Sequence, residues 1–167
     1  MAHRALAEAL RQYGLPAEEA TSLARLAHGR YGLAMRMHTD PSLAILRQSA
    51  TDEVRRLARS SRNERFDVAD RLGAAWYRER ESVLATIDLW RDWWREVLLA
   101  ASDLDALPEA IEDASGLTPV EAVRALQAVQ TARDHLLANT NALLALEVMM
   151  LDLPVLHSSL PETAGVA

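Results

Sequence analysis

Apolar residues recur along this chain at helical steps of three and four, and nowhere at the alternating steps of a half-buried strand. The densest run lies near the C-terminus, from Asn139 to Pro154. Between Ala142 and Leu153 only Glu147 and Asp152 are charged, while Leu143, Leu144, Leu146, Val148, Met149, Met150 and Leu151 point to every side of a helix. That pattern predicts a core helix with no face left for water, Leu143, Leu146 and Met150 among its core positions. The run is too short to cross a bilayer, which takes about 20 apolar residues. Asn139 suits the stop of the preceding helix, Asn141 the N-cap of this one, and Pro154 its end.

Upstream, the same reasoning places a short amphipathic helix from Arg4 to Tyr13, stopped by Gly14. A second opens at Pro16 with Glu18 and Glu19 in its first turn and runs to Gly29. Gly29 to Met37 reads as a glycine-broken entry to a third short helix, ending before Asp40. As a phosphate-binding signal it is weak, lacking the Lys and the preceding strand of a P-loop. Asp40 and Pro41 restart the chain as N-cap and first helical residue. Leu43, Leu46, Ala50, Val54 and Leu57 then form one buried stripe, leaving Arg47, Arg55, Arg56 and Arg59 for solvent or a partner. Ser60 to Asn63 interrupts, and from Glu64 a further helix carries Phe66, Ala69 and Leu72, with Gly73 marking a bend or close approach near Trp76.

The strongest pattern runs from Ser82 to Ala101. Val83, Ile87, Trp90, Trp94, Val97 and Ala101 share one seam, and Asp88, Arg91, Asp92, Arg95 and Glu96 occupy the other side. Asp88 with Arg91 and Asp92 with Arg95 have the spacing of helical ion pairs. Trp76, Trp90, Trp93 and Trp94 suit either a packed core, with Trp90 and Trp94 at its centre, or a ligand pocket. After a loop from Ser102 to Asp105 and at most a short helix from Pro108, Thr118, Pro119 and Glu121 spell a capping box. The helix it opens runs to Asn139. The fold class is all-α: a short helical segment over residues 1–38, a bundle of five to six helices over 39–154, and a loose tail over 155–167.

Composition narrows the chemistry. Half of the 167 residues are apolar, enough for a packed core, and the absence of cysteine excludes disulfides and a thiol nucleophile. His3, His28, His38, His135 and His157 are scattered without metal-ligand spacing, and there is neither a Walker A nor a Gly-x-Ser-x-Gly motif. The residues therefore favour an all-helical interaction module over an enzyme, with no catalytic residue, cofactor or metal expected. Residues 1 to 80 hold fourteen Arg against ten acids, net +4, while residues 81 to 167 hold four against fourteen, net −10. The two halves either have different surroundings or face each other. The first twenty residues carry Arg4, Glu8, Arg11, Glu18 and Glu19 in place of an apolar run, so a cytoplasmic location is expected and no signal peptide.

Three blocks, in order, resemble the C-terminal part of the delta-prime subunits of bacterial DNA polymerase III clamp loaders. The first, Ala20 to Ala34, is similar to the end of an AAA+ lid; the second is Leu89 to Leu99; the third and most specific is Leu136 to Pro154. The family usually has a basic residue after the second Asn-containing turn, where this chain has Ala142 and Leu143. The resemblance covers roughly residues 15 to 154. It implies that residues 1–38 end a lid-like segment, that residues 39–154 are the helical collar joining subunits into a ring, and that an ATPase domain lies upstream. It further implies delta and gamma/tau motor subunits as partners in DNA replication. Tight DNA binding is not expected, because the chain is acidic overall and its arginines are interleaved with Asp52, Glu53, Asp67 and Asp70, and no membrane partner is expected, since the apolar run is too short to span a bilayer. Where active clamp-loader ATPases carry a nucleotide-sensing arginine in the lid, this chain has Gly32, which implies a subunit that does not hydrolyse ATP.

Overall fold

The computed structural model describes residues 2–27 and 29–156. Among them the chain is all-helical and no strand occurs: α1 (Ala2–Tyr13), α2 (Ala17–Leu26), α3 (Tyr31–Thr39), α4 (Pro41–Arg59), α5 (Arg62–Trp76), α6 (Arg80–Ala101), α7 (Pro108–Asp113), α8 (Pro119–Leu137) and α9 (Ala142–Asp152). No helix among the described residues is long and apolar enough to cross a membrane.

Local chemistry sets most of the boundaries. Gly14 turns the chain after α1 at φ +110°, a conformation that costs a residue with a Cβ. Thr118 and Glu121 close the expected capping box of α8. Asn141 caps α9 by accepting from the Leu144 N–H at 3.1 Å, and Asn139 takes a left-handed conformation at φ 55°. One boundary differs from expectation. The fifth helix starts at Arg62, not Glu64, because Ser61 caps it: Ser61 Oγ accepts from the Glu64 N–H while the Glu64 carboxylate accepts from the Ser61 N–H at 2.8 Å.

The chain divides into two compact units within α4, between Ser49 and Ala50, and not at the predicted 38/39. Leu43, at the start of α4, packs with the first unit's core, whereas Ala50, Val54, Leu57 and Ala58 pack in the second. In the first unit Leu6, Leu10, Leu15, Leu23 and Met37 bring α1, α2 and α3 around a small apolar centre. His38 Nδ1 lies 2.7 Å from a Glu19 carboxylate oxygen, bridging α3 and α2 at the surface.

In the second unit α6 and α8 form the central pair, α9 lies between α5 and α8, and α7 packs on α6. The core gathers Leu57, Leu72, Ile87, Trp90, Trp94, Val129, Leu136, Leu146, Met149 and Met150. The expectation for the last helix is overturned in part. Leu146 and Met150 are buried, but Leu143 is 37% exposed, and Leu144 (56%), Val148 (47%) and Leu151 (52%) face outward. The reason is topological: α5 and α8 flank α9 and its third side stays uncovered by the described residues. Leu143 keeps one close contact, since a Cβ built on Gly73 of α5 would stand 3.3 Å from its Cα and Cβ. Glycine at 73 thus lets α5 and α9 approach closely.

The end of α9 is held by a buried cation. The Arg65 guanidinium, on α5, donates to the carbonyls of Leu57 (3.0 Å), Ala58 (3.3 Å), Met150 (3.1 Å), Leu153 (2.7 Å) and Pro154 (2.9 Å). It satisfies orphan carbonyls at the C-termini of both α4 and α9, where the helix dipoles favour positive charge. Burial lowers its pKa from the usual arginine value, yet an arginine stays charged at neutral pH. The chain continues in order past the predicted start of the tail at 155: Leu156 is buried and its N–H donates to Ala58 O at 2.8 Å. Residues 157–167 lie outside the described set.

Candidate interaction surface

The four arginines expected to offer an interface separate into three fates. Arg47 is buried, which removes it from the proposed surface. Arg55 and Arg59 reach across to Asp113 of α7, a carboxylate with no exposed side-chain surface. Arg55 Nε donates to Asp113 Oδ2 at 2.7 Å and Nη2 to Oδ1 at 3.1 Å, while Arg59 Nη2 donates to the same Oδ1. Arg55 also reaches Glu112 at 3.3 Å and lies over the Trp93 ring, 5.6 Å from its centroid. The hydrogen bond to Asp113 raises the Arg55 pKa above its usual value. Of the four, Arg56 alone has a largely exposed side chain, at 72%, and it approaches Glu53 only at 3.9 Å. The basic N-terminal half and the acidic C-terminal half thus meet at Asp113, inside the second unit.

Two acidic residues are internal, Glu96 and Asp113. Asp113 falls beside Ala110 and Ala114 on the buried side of α7. Glu96, expected on the polar side of α6, is buried and its Oε2 accepts from the Leu107 N–H at 3.2 Å, tying the residue that precedes α7 to α6. Ion pairing on α6 follows the spacing for Asp88 and Arg91 (2.8 Å), and Arg133 of α8 donates to the same Asp88 at 2.7 Å.

The tryptophans are core. Trp76, Trp90, Trp93 and Trp94 are each at most 6% exposed, so the indoles offer an aqueous ligand almost no surface. Among the described residues the indole N–H groups of Trp90, Trp93 and Trp94 meet no hydrogen-bond acceptor, a cost that large apolar burial offsets. Gly32 lies exposed in the first turn of α3 with open space where a Cβ would stand. His28 and His157 lie outside the described residues, and among those described no group of three or more His, Asp or Glu could hold a metal ion.

What the structure adds is a groove along α8 and α9 with a volume of about 590 Å³. Ala128, Ala132, Ala145 and Met149, all buried, form its floor. Arg124, Gln127, Thr131 and His135 make one wall, and Leu144, Val148 and Leu151 the other. Leu144, Val148 and Leu151, all about half exposed, form one stripe at steps of four and three. The sequence carried this stripe, but an all-apolar helix does not say which of its sides lacks a neighbour. Comparison of the chain with known protein families, characterised proteins and solved structures finds no match.

Proposed function

We propose that this chain is a non-catalytic oligomerisation module of the kind found in the collar of bacterial DNA polymerase III clamp loaders, contributing to a delta-prime-like subunit. The observation that carries the interaction reading is the half-exposed apolar stripe Leu144, Val148 and Leu151 on the helix whose sequence resembles that family most specifically. An exposed apolar row of this kind is a surface awaiting a partner. The choice of partners, the delta and gamma/tau motor subunits, rests on the resemblance of the three sequence blocks. The proposed role is support of sliding-clamp loading in the cytoplasm, within a polymerase holoenzyme whose chemistry resides in other chains. Direct DNA binding is assigned no part, because Arg55 and Arg59 are already engaged by Asp113.

Co-expression with the collar regions of delta and motor subunits, followed by size exclusion, tests the reading. Co-elution is expected, and its absence under conditions where those subunits bind a full-length delta-prime would remove the assignment. Calorimetry should show no micromolar ATP binding, and electrophoretic mobility should show no duplex binding at physiological salt. Phosphate-driven binding at low salt would fall by about 10³-fold between 50 and 200 mM for several contacts.

A further inference from the structure

We propose that residues 102–118, the chain between α6 and α8, form a strap that opens while the rest of the second unit stays folded, and that Arg55 and Arg59 beneath it are a carboxylate-binding site whose occupant in the closed form is Asp113. The strap is attached by charge more than by apolar burial. Of its residues only Ala110, Asp113 and Ala114 are buried, and each alanine offers a single methyl group. Its larger apolar side chains stay outside or at the edge: Leu104 and Ile111 are more than half exposed, and Leu107 and Leu117 are only partly buried against the core. α7 has six residues, too few to persist as a helix away from its support, and the left-handed residues Asp103 (φ 56°) and Gly116 (φ 80°) bound it on either side. Two carboxylates hold it. Glu96 of α6 accepts from the Leu107 N–H at the front of the strap, and Arg55 and Arg59 of α4 grip Asp113 at its back. Opening therefore uncovers little apolar surface, and the Asp113 charge regains the water that burial took from it. Segments with so few apolar contacts open at a lower cost than the core. The site left behind is built for one carboxylate. Arg55 and Arg59 stand one helical turn apart, Arg55 lies over the Trp93 ring at 5.6 Å, and together they give Asp113 two hydrogen bonds from the first and one from the second. Asp113 is thus a tethered ligand, and an external carboxylate must displace it, so that binding and opening are one event.

Amide exchange of the whole chain, followed residue by residue, tests the opening without any substitution. The Ile111 and Ala114 N–H groups, bonded to the Leu107 and Ala110 carbonyls, should exchange at least a hundred-fold faster than those of Trp94 in α6 and Val129 in α8, and faster again as sodium chloride screens the latch. Equal rates at the four positions would show that the strap opens only with the whole unit, and would overturn the proposal. Asp113→Ala then empties the site. This variant should keep its helical circular dichroism spectrum and a cooperative unfolding transition, while acrylamide quenches its tryptophan emission at least two-fold more efficiently, a gain lost in the double variant Asp113→Ala, Trp93→Phe. Sodium formate, which supplies the missing carboxylate, should reverse at least half of that gain, and sodium chloride at the same ionic strength should reverse none. Formate acting no better than chloride would refute the carboxylate site. Loss of the cooperative transition in Asp113→Ala would make the strap part of the core and refute its independent opening.

Discussion

Two helices of the second unit, α6 and α9, show that hydrophobic content does not set burial. α6 carries charge at Asp88, Arg91, Asp92, Arg95 and Glu96, yet its seam from Val83 to Val97 is sealed and even Glu96 is enclosed. α9 has only Glu147 and Asp152 as charged residues, yet it leaves Leu144, Val148 and Leu151 half exposed. α6 meets α5, α7 and α8, while α9 is flanked by α5 and α8. Burial follows the number of neighbours an element has, and an apolar face beyond that number is left over. In α9 that surplus is the candidate docking surface; in α6 there is none.

The sharpest way to break this comparison is to cut each helix where it is sealed. Trp90→Ala and Trp94→Ala in α6 should each destabilise by about 3 to 5 kcal/mol in denaturant unfolding, as truncations of fully buried aromatics do. Effects below about 1 kcal/mol would place the indoles at the surface. Arg65→Met, which roughly keeps the volume and removes the donors, should destabilise by about 1 to 3 kcal/mol or more, by leaving helix-end carbonyls buried and unpaired. Arg65→Lys should recover only part of this, since three ammonium protons cannot serve five carbonyls in a fixed fork.

Within α9 the contrast becomes internal. Leu146→Ala should cost about 2 to 5 kcal/mol, whereas Leu144→Ala should stay within about half a kcal/mol in the isolated chain. Similar losses at the two positions would show that the outward face is covered. The smallest effect expected is the pH response of the capping boxes. Hydrogen bonds from Ser61 and from Thr118 lower the pKa values of Glu64 and Glu121 below the ordinary 4.5. A carboxylate with a depressed folded pKa adds stability above its unfolded pKa and loses it as pH falls through the folded value. Acidification from neutral pH to below the ordinary glutamate range should therefore weaken both caps. The double variant Ser61→Ala, Thr118→Ala should be less stable at neutral pH and show a shallower acid limb; an unaltered limb would mean that the caps do not titrate with folding.

Helix positions were legible because they are written locally. Gly14, Asp40 with Pro41, Thr118 with Glu121, and Asn139 with Asn141 each act through backbone within a few residues of themselves. Ser61 was as legible as Thr118, since Glu64 stands three residues on, and its box moves the start of α5 to Arg62. Arg65 and Asp113 also left a trace: Arg65 continues the row of Ala69, Leu72 and Trp76 on α5, and Asp113 adjoins Ala114 on α7. An ionic residue in a buried row signals an internal partner, but the spacing cannot name it. The partners lie far along the chain, Arg65 with Leu153 and Arg55 with Asp113, and only the close approach of distant helices assigns them.

The sequence by itself thus determined the all-helical class and the ends of most helices, because propensity and capping are properties of neighbouring residues, while the burial of the four tryptophans as core, and not as a pocket lining, was decided by the packing. Tertiary structure alone decided that Arg47, Arg55 and Arg59 turn inward, that Glu96 and Asp113 are enclosed, and that α9 keeps one open side. These depend on which helices stand beside which, and burial is a property of the neighbours a residue acquires on folding, not of the residue.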